Sequence, residues 1–285
     1  MLPLSSWPAA ERRGIVGVFT DIDDTLTTDG VITPDALQAL ADLKAAGLVV
    51  IPITGRPIGW CEPFMAGDAP WPADAMVAEN GAVAFARDVS AEHLYENGLQ
   101  HPKIVRKQLS KLYQLDADTR ASNQLRMRKI AARVMFEVPG VFLTRDSTGR
   151  ETDVAFDYNE FAHLPSATVQ RVLAVLQREG MQTSVSSIHI HGCFGHFDKW
   201  IGANWIVREL FGRDLALGLD RWVFVGDSGN DQAMFEHFTH SVGVANIRRF
   251  ADKLTHLPRY IAPSERGAGF AEVVRAVLQG RAPGG

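Results

Sequence analysis

The sequence predicts an α/β protein, a doubly wound, Rossmann-like parallel sheet interrupted by an inserted α+β module. Three observations carry this. At both ends of the chain, short apolar, β-branched runs alternate with helical patterns, as parallel strands joined by helical crossovers require. Two of those runs pass at once into acidic clusters, Asp21-Ile22-Asp23-Asp24-Thr25 and Gly226-Asp227-Ser228-Gly229-Asn230-Asp231. The middle loses the alternation and turns basic, with nine Lys and Arg against two acids over residues 101–133.

Taken in order, Ile15 to Phe19 reads as a buried parallel strand. Thr33-Pro34-Asp35 opens a helix, with Thr33 as N-cap and Pro34 at the first helical position; Leu37, Leu40 and Leu43 give its apolar spacing and Gly47 its end. Residues 48–54 and 75–80 read as further strands. The basic stretch 101–133 is helical in pattern, and residues 141–158 form a hairpin turning at Asp146 to Gly149. Pro165 opens a helix to about Glu179, stopped by Gly180, and residues 183–191 alternate as one strand. The doubly wound pattern then resumes: a helix from Asp198, a strand at 221–227, a helix from Asp231, a strand at 240–246 and a closing helix after Gly267. The expected division is 1–84 for the first core segment, 85–190 for the insertion and 191–285 for the second core segment.

The 285 residues are 46% hydrophobic and 22% charged, so the chain can bury a core and is not disordered. No apolar run is long enough to span a membrane, and no secretory signal is visible at the start. Cys61 and Cys193 cannot make a disulfide framework, and a cytoplasmic location is expected. The net charge of −4 argues against a nucleic-acid partner. Residues 85–190 carry 14 Lys and Arg against 12 Asp and Glu, the remainder 15 against 21, a split that suits a metal-holding scaffold under a lid for an anionic substrate or is simple surface variation.

The chemistry concentrates at strand ends. Asp21 and Asp23, two apart after a buried strand, project to one side at the carboxyl end of the sheet, where open α/β sheets place ligands. Carboxylates so close call for a cation or a shared proton. Asp227 ends a second strand, and Asp231, four residues on, can face the same way. Hard oxygen ligands from two strand ends suit Mg²⁺, although a capping aspartate would look the same. Thr54, Gly55 and Arg56 form a strand-to-helix turn able to hold a phosphate oxygen, and Lys199 heads a helix where it could neutralise another.

The order of these four segments resembles the four motifs of the haloacid dehalogenase superfamily, across about 180 residues of both core segments. The insertion between Thr54 and Lys199 is similar to the large α/β cap of the IIB subfamily, which includes Cof-like, sucrose-phosphate, trehalose-phosphate and mannosyl-phosphoglycerate phosphatases. Glu79-Asn80-Gly81 also resembles a segment common there, while Asp24 replaces the family's usual glycine. The resemblance implies a Mg²⁺-dependent phosphatase acting on a small phosphate ester, a sugar phosphate by expectation. Asp21 would be the nucleophile forming an aspartyl-phosphate and Asp23 the acid and base. The Asp21 carboxylate, the Asp23 carbonyl and Asp227 would hold the metal, with Asp231 orienting them, and Thr54, Gly55, Arg56, Lys199 and Asn230 would hold the phosphoryl group. Alternatives are a phosphotransferase or mutase of the phosphomannomutase type and a non-enzymatic phospho-aspartate switch.

Other groups read less sharply. His189 and His191 share a strand face near Cys193 and His196, compatible with a transition-metal site, a substrate contact or structural histidines. Arg126, Lys129 and Arg133 share a helical face, either solvated or offered to an anionic substrate. Gly192 and Gly195 suit a hinge.

Overall fold

A computed structural model describes residues 1–87 and 109–281. Six parallel strands form the central sheet, in the spatial order Leu2–Pro3, Tyr260–Ile261, His240–Gly243, Trp222–Gly226, Gly17–Thr20, Val49–Pro52. The two strands that end in acidic clusters are therefore neighbours, with Phe19 opposite Phe224.

Alternation along these strands feeds two hydrophobic layers. Val18, Val50, Val223 and Val242 face the helices Pro34–Ala45, Ile58–Ala66 and Arg266–Arg281 through Leu40, Leu43, Met65, Phe270 and Val274. Phe19, Ile51 and Phe224 face the helices Lys199–Phe211 and Gln232–His237 through Ile206, Leu210, Met234 and Phe235. Helices thus cover both sheet faces, and the doubly wound core is as the sequence predicts. Each large side chain so buried contributes about 2 kcal/mol from the area it withdraws from water.

The insertion has its own apolar nucleus. Helices Ala117–Glu137 and Ser166–Arg178 pack Met127, Ile130, Val134, Val172 and Leu176 on Val154, Phe156 and Ile190 of a three-stranded antiparallel sheet. That sheet runs Gln182–Val185, His189–Cys193, Asp153–Asp157. Because side chains alternate, Asp153, Asp157, His189 and His191 stand on the opposite face, away from the helices.

Several local expectations change. Residues 183–191 form two strands, not one, because Ser186 turns the chain back: its hydroxyl accepts from His189 N–H at 3.0 Å. The hairpin at 141–158 keeps its turn, a single 3₁₀ turn at Ser147–Gly149, but its first arm pairs only through Leu143 and Phe156. Within the basic stretch, Ser110–Tyr113 is a strand paired with Val83–Ala86, which pairs in turn with Ala75–Ala78, and the helix begins only at Ala117. The part at 101–108 lies outside the described residues. That three-stranded sheet adjoins the core through a parallel bridge between Ile53 and Val77. No helix among the described residues is long and apolar enough to cross a membrane.

Candidate active site

The buried strand Gly17–Thr20 delivers Asp21, whose N–H donates to Val225 O at 2.8 Å and ties it to the neighbouring strand. The chain then folds tightly on Ile22, whose carbonyl accepts from the N–H groups of Thr25, Leu26 and Thr27. Asp24 takes a left-handed φ of 56° to do so. That backbone suits glycine, and aspartate is among the few side chains that tolerate it. An ion pair of 3.0 Å to Arg266 anchors Asp24.

Asp21, Asp227 and Asp231 bring carboxylate oxygens within 4.8 Å of one another, all buried. Lys199, with no exposure, heads its helix between them and donates to Asp21 Oδ1 and Asp231 Oδ1 at 2.6 Å each. Asp198 caps that helix by accepting from Ile201 N–H at 2.7 Å. Three carboxylates facing the Lys199 ammonium leave an excess of negative charge in a buried site. Burial pushes the Asp21 carboxyl up to about 7 even with Lys199 pulling it down. Burial, then Asp21 and Asp231, hold Asp227 well above the ordinary carboxylate range. Burial opposes the Lys199 charge, but Asp21 and Asp231 keep it above its ordinary value.

This donor set fits a hard divalent cation. Both Asp231 oxygens are committed, one to Lys199 and the other to the Asp227 and Ser228 N–H groups at 2.8 and 3.0 Å. The carboxylates left to face a metal are those of Asp21 and Asp227, with Asp231 bracing them. Asp227 is further held by Asn246 Nδ2 at 2.9 Å and by the Thr25 hydroxyl at 3.3 Å.

The Asp23 carboxylate lies outside that group, on Arg56. Arg56, expected at the phosphate, turns its guanidinium to carboxylates instead, because three of them converge there. Nε donates to both Asp23 oxygens at 3.0 Å, Nη1 to Asp146 at 3.1 Å and Nη2 to Glu160 at 2.7 Å. Thr54 is buried with its hydroxyl accepting from Arg56 N–H at 3.0 Å. Gly55 lies against the His191 ring; a Cβ there would come within 2.9 Å of it. Asn230 donates to Asn80 Oδ1 at 2.9 Å, and its own Oδ1 accepts from the Ser228 hydroxyl at 3.0 Å.

Glu79-Asn80-Gly81 joins the insertion to the core. All three residues have positive φ, of 50°, 53° and 114°. The Glu79 carboxylate accepts N–H groups from Ile58 in the core and from Glu151, Thr152 and Asp153 in the insertion. His189 and His191 hold no shared metal position: the first pairs with Glu160 at 2.8 Å and the second with Asp153 at 3.0 Å. Sequence reasoning missed Glu160, Asn246 and the ionic role of Asp146. Asn246 follows a buried strand, the one pattern that could have flagged it; Asp146 and Glu160 sit in loops of the insertion with no such signal.

Comparison with known proteins places this arrangement. A family model for haloacid dehalogenase-like hydrolases matches residues 18–183. The chain belongs to the haloacid dehalogenase-like hydrolases. A second model, for sucrose-6F-phosphate phosphohydrolase, matches residues 207–275 of this hydrolase. No curated protein matches it significantly. Among solved structures, a Thermoplasma acidophilum protein superposes with a TM-score of 0.64 at 17% identity, covering 93% of this chain and 98% of its own. The sucrose-phosphatase of Synechocystis, solved with sucrose and phosphate, gives 0.62 at 14%, covering 93% and 98%. The C-terminal domain of the Candida albicans trehalose-6-phosphate phosphatase gives 0.62 at 12%, covering 95% and 96%. At such identities the likeness is one of fold: a haloacid dehalogenase core carrying an inserted cap.

Proposed function

We propose that this hydrolase is a Mg²⁺-dependent phosphatase of a small phosphorylated metabolite, a sugar phosphate or related phosphomonoester, working through an aspartyl-phosphate. The observation that carries the reading is the buried Asp21, Asp227 and Asp231 group around Lys199 at the carboxyl ends of neighbouring strands. Asp21 is the nucleophile. Its Oδ2 is free of the lysine that holds Oδ1, so one oxygen is oriented and the other can attack phosphorus in line. Lys199, Thr54, Asn230 and the Gly55 turn take the phosphoryl oxygens as charge spreads over them. Asp23 protonates the leaving oxygen and then deprotonates the attacking water. Bound Mg²⁺ would be held by Asp21, the Asp23 carbonyl and Asp227, and would neutralise the carboxylates and draw charge from the phosphoryl group.

The residues over the site support a neutral, hydroxyl-rich leaving portion. Asp153, Asp157, His189 and His191 are on the cap sheet's polar face, with Glu160 beside them, whereas the basic helix Ala117–Glu137 packs behind that sheet. Its Arg126 stacks on Phe194 and its Arg133 pairs with Glu179 and Glu137. A cytoplasmic setting is consistent with free thiols at Cys61 and Cys193.

The test is phosphate release from a panel of sugar phosphates, phosphoglycerates, nucleotides and cofactor phosphates with Mg²⁺, followed by mass spectrometry of acid-quenched enzyme. The expected result is phosphate release to water and an 80 Da adduct (about the mass of HPO₃) on the peptide containing Asp21. Transfer of the phosphoryl group to a second sugar, or phosphate release with the adduct elsewhere, would replace this reading.

A further inference from the structure

Arg56 ties one carboxylate of the core to two of the insertion. Among the described residues, every hydrogen bond received by the Asp23 carboxylate comes from this guanidinium: Nε to both oxygens at 3.0 Å and Nη2 to Oδ1 at 2.8 Å. Two further donors of the fork go to Asp146 Oδ2 at 3.1 Å and Glu160 Oε1 at 2.7 Å, and Arg56 is itself buried with Trp60 5.2 Å away.

Each cap carboxylate is fixed from behind. The second oxygen of Glu160 pairs with His189 Nε2 at 2.8 Å, and its N–H donates to Asp157 at 2.9 Å. The second oxygen of Asp146 accepts the Thr144 hydroxyl at 2.6 Å. A guanidinium presents its donors in a rigid plane, so two anchored acceptors on the Nη groups set the plane's orientation. The plane in turn sets the direction of the Asp23 carboxylate.

We propose that Glu160 and Asp146 are positioning residues for leaving-group protonation, acting on Asp23 through Arg56, so that acid catalysis is complete only with the insertion seated on the core. The inference rests on the reading of Asp23 as acid and base. In the first step an Asp21 oxygen forms a bond to phosphorus while the bond to the leaving oxygen breaks. The electron pair of that bond stays on the leaving oxygen and takes the proton of Asp23. In the second step Asp23 takes a proton from the water that attacks the aspartyl-phosphate. Proton transfer needs an aligned donor, and a misplacement near 1 Å costs on the order of a hundredfold in rate. A leaving group that departs well as an anion does not need the proton and is spared.

The test measures kcat/KM for phenyl phosphates substituted at the para position, from nitro to methoxy, which vary leaving-group acidity at nearly constant shape. It uses the wild type, Glu160→Gln, Asp146→Asn, the double variant, Arg56→Lys and, as a remote cap control, Arg133→Gln. The nitro-to-methoxy ratio should rise at least tenfold in the double variant and in Arg56→Lys, and stay at the wild-type value in Arg133→Gln. If the ratio stays constant while all substrates slow together, or while none slows, these carboxylates only latch the insertion and the proposal is overturned. A wild type that releases no phosphate either from these esters or from the metabolite panel would instead overturn the proposed function, and this inference with it.

Discussion

Lys199 Nζ lies 2.6 Å from Asp21 Oδ1, in a position with no solvent exposure at all. The ammonium orients one oxygen of the candidate nucleophile and sets its positive charge against the buried carboxylates of Asp21 and Asp231. Lys199→Met should therefore abolish phosphate release and destabilise the fold by roughly 3–5 kcal/mol, because it strands Asp21 and Asp231 as unpaired buried acids. Urea unfolding of the variant checks the second part. Asp21→Asn removes one of those negative charges, so it should remain folded while losing turnover by a factor on the order of 10⁴. Near-normal turnover in that variant would end the covalent mechanism.

The excess of carboxylates predicts a dependence on metal. A chelator should abolish activity and Mg²⁺ should restore it. Mg²⁺ should also raise the melting temperature, since it binds the folded state. Asp227→Asn should blunt that rise, and an equal rise in wild type and variant would move the metal elsewhere.

Gly81 couples the insertion's junction to Lys199. Its φ is 114°, and a Cβ there would collide with the carbonyl oxygen of Asp198, at the cap of the helix that Lys199 begins. Gly81→Ala should cost about 1–3 kcal/mol in backbone strain. It should also lower kcat more than it raises KM, by displacing Lys199. A folded Gly81→Ala protein with unchanged kcat would show that the helix start can yield without moving the ammonium.

The pair formed by His191 and Asp153 predicts a pH signature. Burial depresses the His191 ring from its ordinary 6.5 to about 4, with the Asp153 hydrogen bond opposing this. The neutral ring then carries its proton on Nδ1, facing Asp153 Oδ2 at 3.0 Å, and Nε2 is buried with no hydrogen-bond partner among the described residues. A depressed histidine binds fewer protons folded than unfolded. Its contribution to stability is complete above pH 6.5 and is lost as pH falls towards 4. Nitrogen NMR should find His191 neutral at pH 5.5, and the stability difference between wild type and His191→Gln should narrow below pH 6. A protonated ring at pH 5.5 would contradict the assignment.

By itself the sequence determined the core. The strands Gly17–Thr20 and Trp222–Gly226 lie in apolar runs and are wholly buried, and acids placed straight after them can only fall at the sheet's carboxyl edge. Asp21, Asp227, Asp231 and Lys199 were therefore legible, since each lies within a residue or two of an element end fixed by local pattern. The fold of the insertion was harder to read. Residues 183–191 keep a strand's alternation through a turn, and Ser110–Tyr113 gives no sign that its partner is Val83–Ala86, because pairing partners are chosen by packing over long separations. Only the tertiary structure decided where Arg56 points. A guanidinium after a strand can serve a phosphate or a carboxylate with equal chemistry. Asp146 and Glu160, about 90 and 104 positions away, arrive through folding of the insertion and turn it to Asp23.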